Sequence, residues 1–170
     1  RAIAKTIREL SKTPLSGKKK MTKEEAMEAI DTVAKAEAFQ LGEKQVDAMV
    51  MALTKSFSVL TGGPGTGKTA IVRLLTGILQ KRGETVLLAA PTGRAARRLG
   101  EVCRMPAQTL HRLLTLQVQD DKVPDAAFWL SAEPLLCDTL IVDECSMIDL
   151  FLFANLLSAV RPGTRVLLIG

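Results

Sequence analysis

Residues 62–69 form a glycine-rich stretch that reads GGPGTGKT. It fits the pattern G-x-x-x-x-G-K-[ST], in which a loop between a strand and a helix presents backbone N–H groups to phosphates. In such a loop the Lys68 ammonium would reach the β- and γ-phosphates of ATP, and the Thr69 hydroxyl would bind Mg²⁺. We therefore predict a nucleotide site formed by Gly62, Gly63, Pro64, Gly65, Thr66, Gly67, Lys68 and Thr69.

A pair of adjacent acids, Asp143 and Glu144, follows a short apolar run at residues 139–142. An acid at the carboxyl end of a buried strand can hold Mg²⁺, and a second acid beside it can orient and deprotonate water. Because Asp143 and Thr69 would bind the same ion, their strands should end at the same edge of one sheet. This pair adds hydrolysis to nucleotide binding, and we predict Lys68, Asp143 and Glu144 as catalytic residues.

A basic helix begins where a second apolar run ends, and Thr92 and Gly93 lie at the turn between them. The arginines of this helix and its end are Arg94, Arg97, Arg98 and Arg104. A helix N-terminus that combines a threonine with basic residues can hold a phosphate backbone. An exposed, charged helix face is the alternative for the arginines, whereas the position of Thr92 and Gly93 at the turn favours a binding function.

The elements that would position these residues alternate between strand and helix. Apolar, β-prone runs bounded by turn residues predict strands at 56–61, 84–90, 139–142 and 165–170. Helical periodicity predicts helices at 68–82, from 94 onwards and at 150–160. A strand, a helix and a strand within some 35 residues form a βαβ unit, which requires parallel strands. We predict an α/β fold with a parallel sheet flanked by helices.

The N-terminal region differs from the rest in charge and pattern. Residues 1–23 hold eight Lys or Arg against one acid, although the whole chain has a net charge of only +5. Residues 1–10 have a helical apolar face, and residues 11–20 have the Pro, Gly, Ser and Lys content of a linker. We predict a helical remnant of an upstream domain with a basic linker over 1–21, and the main domain over 22–170. The linker is interpreted as a solvated, partly mobile segment, with nucleic-acid contact as the alternative.

Composition limits the class of protein. Apolar residues make up 47% of the chain, but no uninterrupted run approaches the ~20 residues that span a bilayer. The first residues also lack the apolar stretch of a signal peptide. Three cysteines, at positions 103, 137 and 145, fit no zinc or C-x-x-C pattern. We expect reduced thiols in a cytoplasmic protein that has no membrane partner.

Four stretches together resemble motifs I, Ia, Ic and II of RecD-like helicases: residues 60–69, 90–99, 109–114 and 141–149. These helicases are the 5′-to-3′ branch of superfamily 1 and are related to the alpha subunit of exodeoxyribonuclease V. The resemblance covers about residues 37–170 and implies a RecA-like P-loop NTPase domain that is the first motor domain of a helicase. It implies that Gln45 reads adenine, that Lys68 and Thr69 act on phosphate and Mg²⁺, that Asp143 binds Mg²⁺ and that Glu144 activates water.

The same resemblance implies a track for single-stranded DNA along Thr92, Gly93, Thr109 and His111, with Arg94 beside it. His111, taken alone in its apolar run, would be interpreted as structural. The implied partners are single-stranded DNA, a second motor domain of the same chain that carries arginine fingers, and other repair or recombination subunits. The chain departs from the family at Ala70, where a second Thr is common, and we interpret it as a piece of a longer protein that ends where motif III would begin.

Three functions remain open from the sequence. The first is an ATP-dependent DNA helicase or translocase, in which ATP hydrolysis drives 5′-to-3′ movement on single-stranded DNA. The second is a P-loop ATPase that remodels protein. The third is a nucleotide-gated DNA-binding module that does not unwind DNA.

Overall fold

A parallel sheet carries the fold in the computed structural model, which describes residues 2–62, 67–115 and 134–170. The strands run in the spatial order β1-β5-β4-β2-β3, and every neighbouring pair is parallel. They are β1 (Phe57–Leu60), β2 (Val86–Ala90), β3 (Ala107–Thr109), β4 (Thr139–Val142) and β5 (Arg165–Ile169). The predicted α/β fold with a parallel sheet is confirmed. Strand β3 is an addition to the prediction, which placed no strand between residues 90 and 139.

Helices cover both faces of the sheet. They are α1 (Ala2–Lys12), α2 (Lys23–Ala36), α3 (Glu43–Thr54), α4 (Lys68–Lys81), α5 (Gly93–Cys103), α6 (Leu110–Thr115) and α7 (Leu150–Ala159). One core contains side chains of α2 to α5, and the other contains side chains of α1, α6 and α7. Neighbouring residues of β4 alternate between them, with Ile141 in the first core and Leu140 and Val142 in the second. None of the described helices is long and apolar enough to cross a membrane.

The N-terminal segment packs against the rest of the chain. Helix α1 contacts α7 and β1, and its Leu10 is buried in the second core. A 3₁₀ turn at Gly17–Lys19 follows, in which the Lys19 ammonium donates a hydrogen bond to the Gly163 carbonyl at 2.6 Å. The structure therefore differs from the interpretation of a solvated linker, because buried side chains at Leu15 and Met21 anchor it at both ends. The predicted boundary at residue 21 coincides with no break in packing, and a separate domain there stays a prediction.

A buried arginine joins the amino-terminal ends of the strands. Arg165 begins β5 and is 1% exposed. Its guanidinium donates to the Glu84 carboxylate at 2.6 Å and to the Thr139 hydroxyl at 3.0 Å. It also donates to the backbone carbonyls of Lys19 at 2.6 Å and Leu53 at 3.0 Å. Burial lowers the pKa of Arg165, and the charge of Glu84 acts in the opposite direction. One side chain thus connects five segments of the chain at this edge.

Removing Glu84 tests how strongly the fold depends on this pair. Glu84→Ala leaves the Arg165 charge buried without its counter-ion, so we expect the free energy of unfolding to fall by about 3–5 kcal/mol. The control is Glu101→Ala, which breaks an exposed i,i+4 pair with Arg97 at 3.3 Å and should cost about 0.5 kcal/mol or less. Urea unfolding followed by circular dichroism measures both. Equal small losses in the two variants would contradict the structural role of the buried pair.

Candidate active site

Strand direction brings the candidate residues to one place. Because all five strands are parallel, β1 and β4 end at the same edge of the sheet, with the end of β5 between them. Strand β1 leads into the glycine-rich loop and α4, and β4 leads directly into Asp143 and Glu144. The prediction that the strands before Thr69 and Asp143 end at one edge is confirmed. We call this the carboxyl edge of the sheet.

A cavity of about 730 Å³ opens at the carboxyl edge. The predicted residues that line it are Gly62, Gly67, Lys68, Thr69, Asp143 and Glu144. Gly63, Pro64, Gly65 and Thr66, which are also predicted to bind nucleotide, lie outside the described residues. The two halves of the predicted site, separated by more than 70 residues in sequence, therefore face one cavity.

Helix α4 points its amino end at this cavity. Gly67 is the residue before the helix and has φ +76° and ψ 16°, the left-handed conformation that glycine adopts without a steric penalty. The first N–H groups of a helix have no partner within it, and the helix dipole adds positive charge there, so the position suits a phosphate. The Lys68 ammonium donates a hydrogen bond to the carbonyl oxygen of Gly170, the residue that follows β5. Lys68 thus already points across the edge between the loop and β5.

Gln45 lies against the end of the loop rather than in the cavity lining. It stands in the first turn of α3, and its Oε1 accepts a hydrogen bond from the Gly42 N–H at 2.9 Å. A Cβ at Gly67 would lie 2.4 Å from the Gln45 Nε2, closer than two such atoms can approach. Gly67 is required by its backbone conformation, and a Cβ there would also push the Gln45 amide away from its hydrogen bond with Gly42. The adenine-reading role of Gln45 stays a prediction.

The two acids are held by a sharp turn after β4. Glu144 has φ 55° and ψ 41°, a left-handed conformation that is uncommon for a residue other than glycine and is often found at functional sites. Its N–H donates to the Asp143 carboxylate at 2.8 Å. The next residue, Cys145, has its thiol pKa raised to about 11 by burial and by the charges of both acids. Cys145 is therefore a protonated, uncharged thiol at neutral pH.

The oxygen donors fit a magnesium ion that is shared with a nucleotide. Thr69 offers a hydroxyl and Asp143 a carboxylate to the same cavity, and Mg²⁺ prefers such hard oxygen ligands. The described ranges contain no group of three or more His, Cys, Asp or Glu that could hold a metal ion. Mg²⁺ does not need one, since it usually takes one or two protein ligands and completes its octahedron with water and phosphate oxygens.

The predicted DNA contacts lie at the carboxyl edge beside this cavity, outside its lining. Thr92 caps α5 by accepting a hydrogen bond from the Ala95 N–H at 3.2 Å. Thr109 ends the neighbouring strand β3 and accepts from the Arg112 N–H at 3.2 Å, so it caps α6 in the same way. The remaining predicted contacts are exposed: Gly93, Arg94 and His111. A Cβ at Gly93 would meet nothing within 4 Å, so the surface there is open to a ligand.

One face of α5 also lines this cavity, and none of its residues was among the predicted nucleotide-binding residues. The lining includes Ala95, Arg98, Leu99 and Val102. These positions follow helical spacing, i, i+3, i+4 and i+7, and so share a face. That spacing was visible in the sequence, but only the packing of α5 on α4 directs the face towards the phosphate loop.

Comparison with known proteins gives both a family and close relatives. A family model described as an AAA domain matches residues 45–170. The ATP-dependent RecD2 DNA helicase of Deinococcus radiodurans is 44% identical over 130 residues, which are 76% of this chain and 17% of that protein. The RecBCD enzyme subunit RecD of Mycobacterium tuberculosis is 38% identical over 152 residues, covering 75% of this chain and 25% of that protein. The chain therefore spans a quarter or less of the length of these two relatives.

A solved structure shares the fold. The Pif1 helicase from Bacteroides, in complex with ADP-AlF3 and ssDNA, superposes with a TM-score of 0.50 at 23% sequence identity. The match covers 78% of this chain and 32% of that one. At this level of identity the likeness concerns the arrangement of strands and helices.

Substituting Gly67 tests separately the effect of its backbone conformation and the effect of its contact with Gln45. Gly67→Ala adds both left-handed strain and the clash with Gln45, so it should lower the free energy of unfolding by more than the ~1–2 kcal/mol of strain alone. Gly83→Ala is the matched control, because Gly83 has φ +75° and nothing lies within 4 Å of its added Cβ. Urea unfolding measures both, and Gln45→Ala combined with Gly67→Ala should remove the excess. Identical losses at Gly67 and Gly83 would mean that the Gln45 contact has no energetic weight.

Proposed function

We propose that this chain, which belongs to the AAA domain family, is the first motor domain of an ATP-dependent DNA helicase that moves 5′ to 3′ on single-stranded DNA. The observation that carries the proposal is the cavity at the carboxyl edge, where Lys68, Thr69, Asp143 and Glu144 come together. The similarity to RecD2 and RecD, proteins named as a DNA helicase and a RecBCD subunit, supports it.

In the proposed reaction each described residue has a separate task. Lys68 exchanges its bond with the Gly170 carbonyl for the β- and γ-phosphates of ATP, whose negative charge it offsets. Thr69 and Asp143 hold Mg²⁺, which when bound neutralises charge that develops on the phosphate oxygens. Glu144 orients the attacking water and accepts its proton. Gln45, beside Gly67, contacts the adenine.

The proposal includes a second motor domain in the same protein. Arginine fingers stabilise the transferred phosphoryl group and raise hydrolysis rates by roughly 10³- to 10⁵-fold in related phosphoryl-transfer enzymes. We expect these fingers to come from the second domain and to close over the cavity. The chain alone would then bind nucleotide with little turnover.

The proposed DNA track consists of Thr92, Gly93, Arg94, Thr109 and His111. Both threonines use their oxygen as a cap acceptor, and each hydroxyl keeps its proton for donation to a phosphate oxygen. Backbone phosphates carry no base sequence, so the bases would go largely unread, as a motor on arbitrary DNA requires. Affinity should also fall steeply with salt.

We also propose partner subunits and a cellular location for the protein. Association with other repair or recombination subunits is supported by the RecD relative, which is named as a subunit of the RecBCD enzyme. A cytoplasmic location is supported by the three cysteines, Cys103, Cys137 and Cys145, all of which are free thiols.

Separating binding from hydrolysis tests the catalytic assignments. In the protein that joins this chain to a second motor domain, Lys68→Ala should weaken ATP binding and lower kcat by about 10²-fold or more, because it removes a phosphate charge partner. Glu144→Gln keeps the Mg²⁺ ligand Asp143, so ATP should still bind while kcat falls by about 10²- to 10⁴-fold. Equilibrium titration with ATP and steady-state hydrolysis, with and without DNA, measure the two effects. Equal loss of binding in both variants would refute the separate roles, and turnover without any DNA stimulation would favour a protein-remodelling ATPase.

A charge placed at one helix cap tests the DNA track. Thr92→Asp retains a cap acceptor for α5 and brings a negative charge to the track, so single-stranded DNA should bind about tenfold more weakly. The matched control is Thr22→Asp. Thr22 caps α2 in the same way, because its hydroxyl accepts a hydrogen bond from the Glu25 N–H at 3.1 Å. It lies near the opposite edge of the sheet, where the Arg82 guanidinium donates a hydrogen bond to the Lys20 carbonyl.

The measurement is fluorescence anisotropy of an unstructured oligonucleotide at several salt concentrations. Thr22→Asp should bind like the parent, and in the Thr92 variant the dependence on salt should flatten because fewer phosphates are neutralised. Equal binding by the parent and both variants would remove Thr92 from the track.

A further inference from the structure

Helix α5 brings a second cation to the nucleotide cavity. Arg98 lines this cavity together with Lys68, Thr69, Asp143 and Glu144. Leu99 on the same helix face is buried, and α5 packs against α4. Arg98 is therefore placed by a packed helix face, although its long side chain is exposed to the solvent of the cavity.

The guanidinium of Arg98 is without a partner in the described part of the chain. Other arginines nearby are paired: Arg97 with Glu101 at 3.3 Å and Arg73 with Glu37 at 2.7 Å. Arg98 forms no such ion pair, and none of the described side chains or carbonyls accepts a hydrogen bond from it. This holds even though two carboxylates line the same cavity. An arginine remains charged at any physiological pH, so the cavity contains a cation whose hydrogen-bond donors are available to an anionic ligand.

The place of Arg98 within the cavity points to one end of a nucleotide. Thr69, Asp143 and Glu144 belong to the end where metal, water and terminal phosphate would meet, and Arg98 lines the cavity with them. Gln45, the residue proposed to contact adenine, is not part of that lining, and its amide lies next to Gly67. The planar guanidinium presents donors in a fork that matches two oxygens of one phosphate.

We propose that Arg98 is a nucleotide-binding residue of this chain that contacts the terminal phosphate of ATP, an inference that rests on the proposed ATPase function. The formal charges of Lys68, Arg98, Asp143 and Glu144 sum to zero, so the cavity accepts an anionic nucleotide without net repulsion. ADP lacks the phosphate that Arg98 contacts. Arg98 therefore distinguishes bound ATP from bound ADP. Because α5 also begins at Thr92, this contact connects the terminal phosphate to the helix that carries the proposed DNA contacts.

The test measures binding of a non-hydrolysable ATP analogue and of ADP, each with Mg²⁺, by calorimetric titration of the chain. Arg98→Ala should bind the ATP analogue about 10- to 100-fold more weakly, as expected for a lost hydrogen bond between charged groups, with ADP affinity almost unchanged. The affinity of Arg98→Lys for the ATP analogue should lie between those of the parent and Arg98→Ala, because lysine restores the charge but not the forked donor geometry of arginine. Arg97→Ala is the matched control. It removes the same charge from the adjacent, outward-facing position and should bind both nucleotides like the parent.

The outcomes separate this inference from the proposed function. Unchanged ATP-analogue binding in Arg98→Ala, or an equal loss for the analogue and ADP, overturns the terminal-phosphate contact. If Lys68→Ala loses binding in the same series, the proposed ATPase site still stands. A parent chain that binds neither nucleotide would instead overturn the proposed function itself. Thermal unfolding of each variant confirms that it is folded, which the exposure of Arg98 leads us to expect.

Discussion

The arrangement of the sheet depends on the hydrogen bonds and the ion pair that the buried Arg165 guanidinium forms. The guanidinium joins the start of β5 to Glu84 before β2, to Thr139 at the start of β4 and to carbonyls at Lys19 and Leu53. Burying this ion pair costs desolvation energy, and Arg165 Nε and Glu84 Oε2 find no partner among the described residues. The net contribution of such a pair to stability is small, whereas the loss of one partner leaves the other charge buried and alone.

Alignment of the strands at their amino-terminal ends also aligns their carboxyl-terminal ends. Once the starts of β2, β4 and β5 are aligned, parallel pairing places their carboxyl ends together, where the reactive groups leave the sheet. Two left-handed backbone conformations lie at this carboxyl edge, at Gly67 and Glu144. The molecule thus separates the residues that align the strands from the residues that would act on a nucleotide, and a substitution at one edge need not disturb the other.

The fold could be predicted in large part because its local signals agree with its packing. The resemblance to RecD-like helicases is confirmed by the RecD2 and RecD relatives, and the predicted strands β1, β2, β4 and β5 are all present. Strand β3 was missed because its three residues, Ala107–Thr109, are only partly buried and too few to alternate. It is the outermost strand of the sheet and pairs with β2 after a left-handed turn at Arg104, a conformation that no sequence pattern predicted.

Local sequence was enough to predict helix α4 after the glycine-rich stretch, the turn at Thr92 before α5, and two acids directly after a buried strand. Contacts between residues that are distant in sequence could not be predicted in this way. Gln45 contacts Gly67, Arg98 lines one cavity with Asp143 and Glu144, and Arg165 pairs with Glu84, 81 residues away. The physical reason is that residue type and spacing encode local backbone geometry, whereas these contacts follow from the order of the strands and the helix faces that cover them.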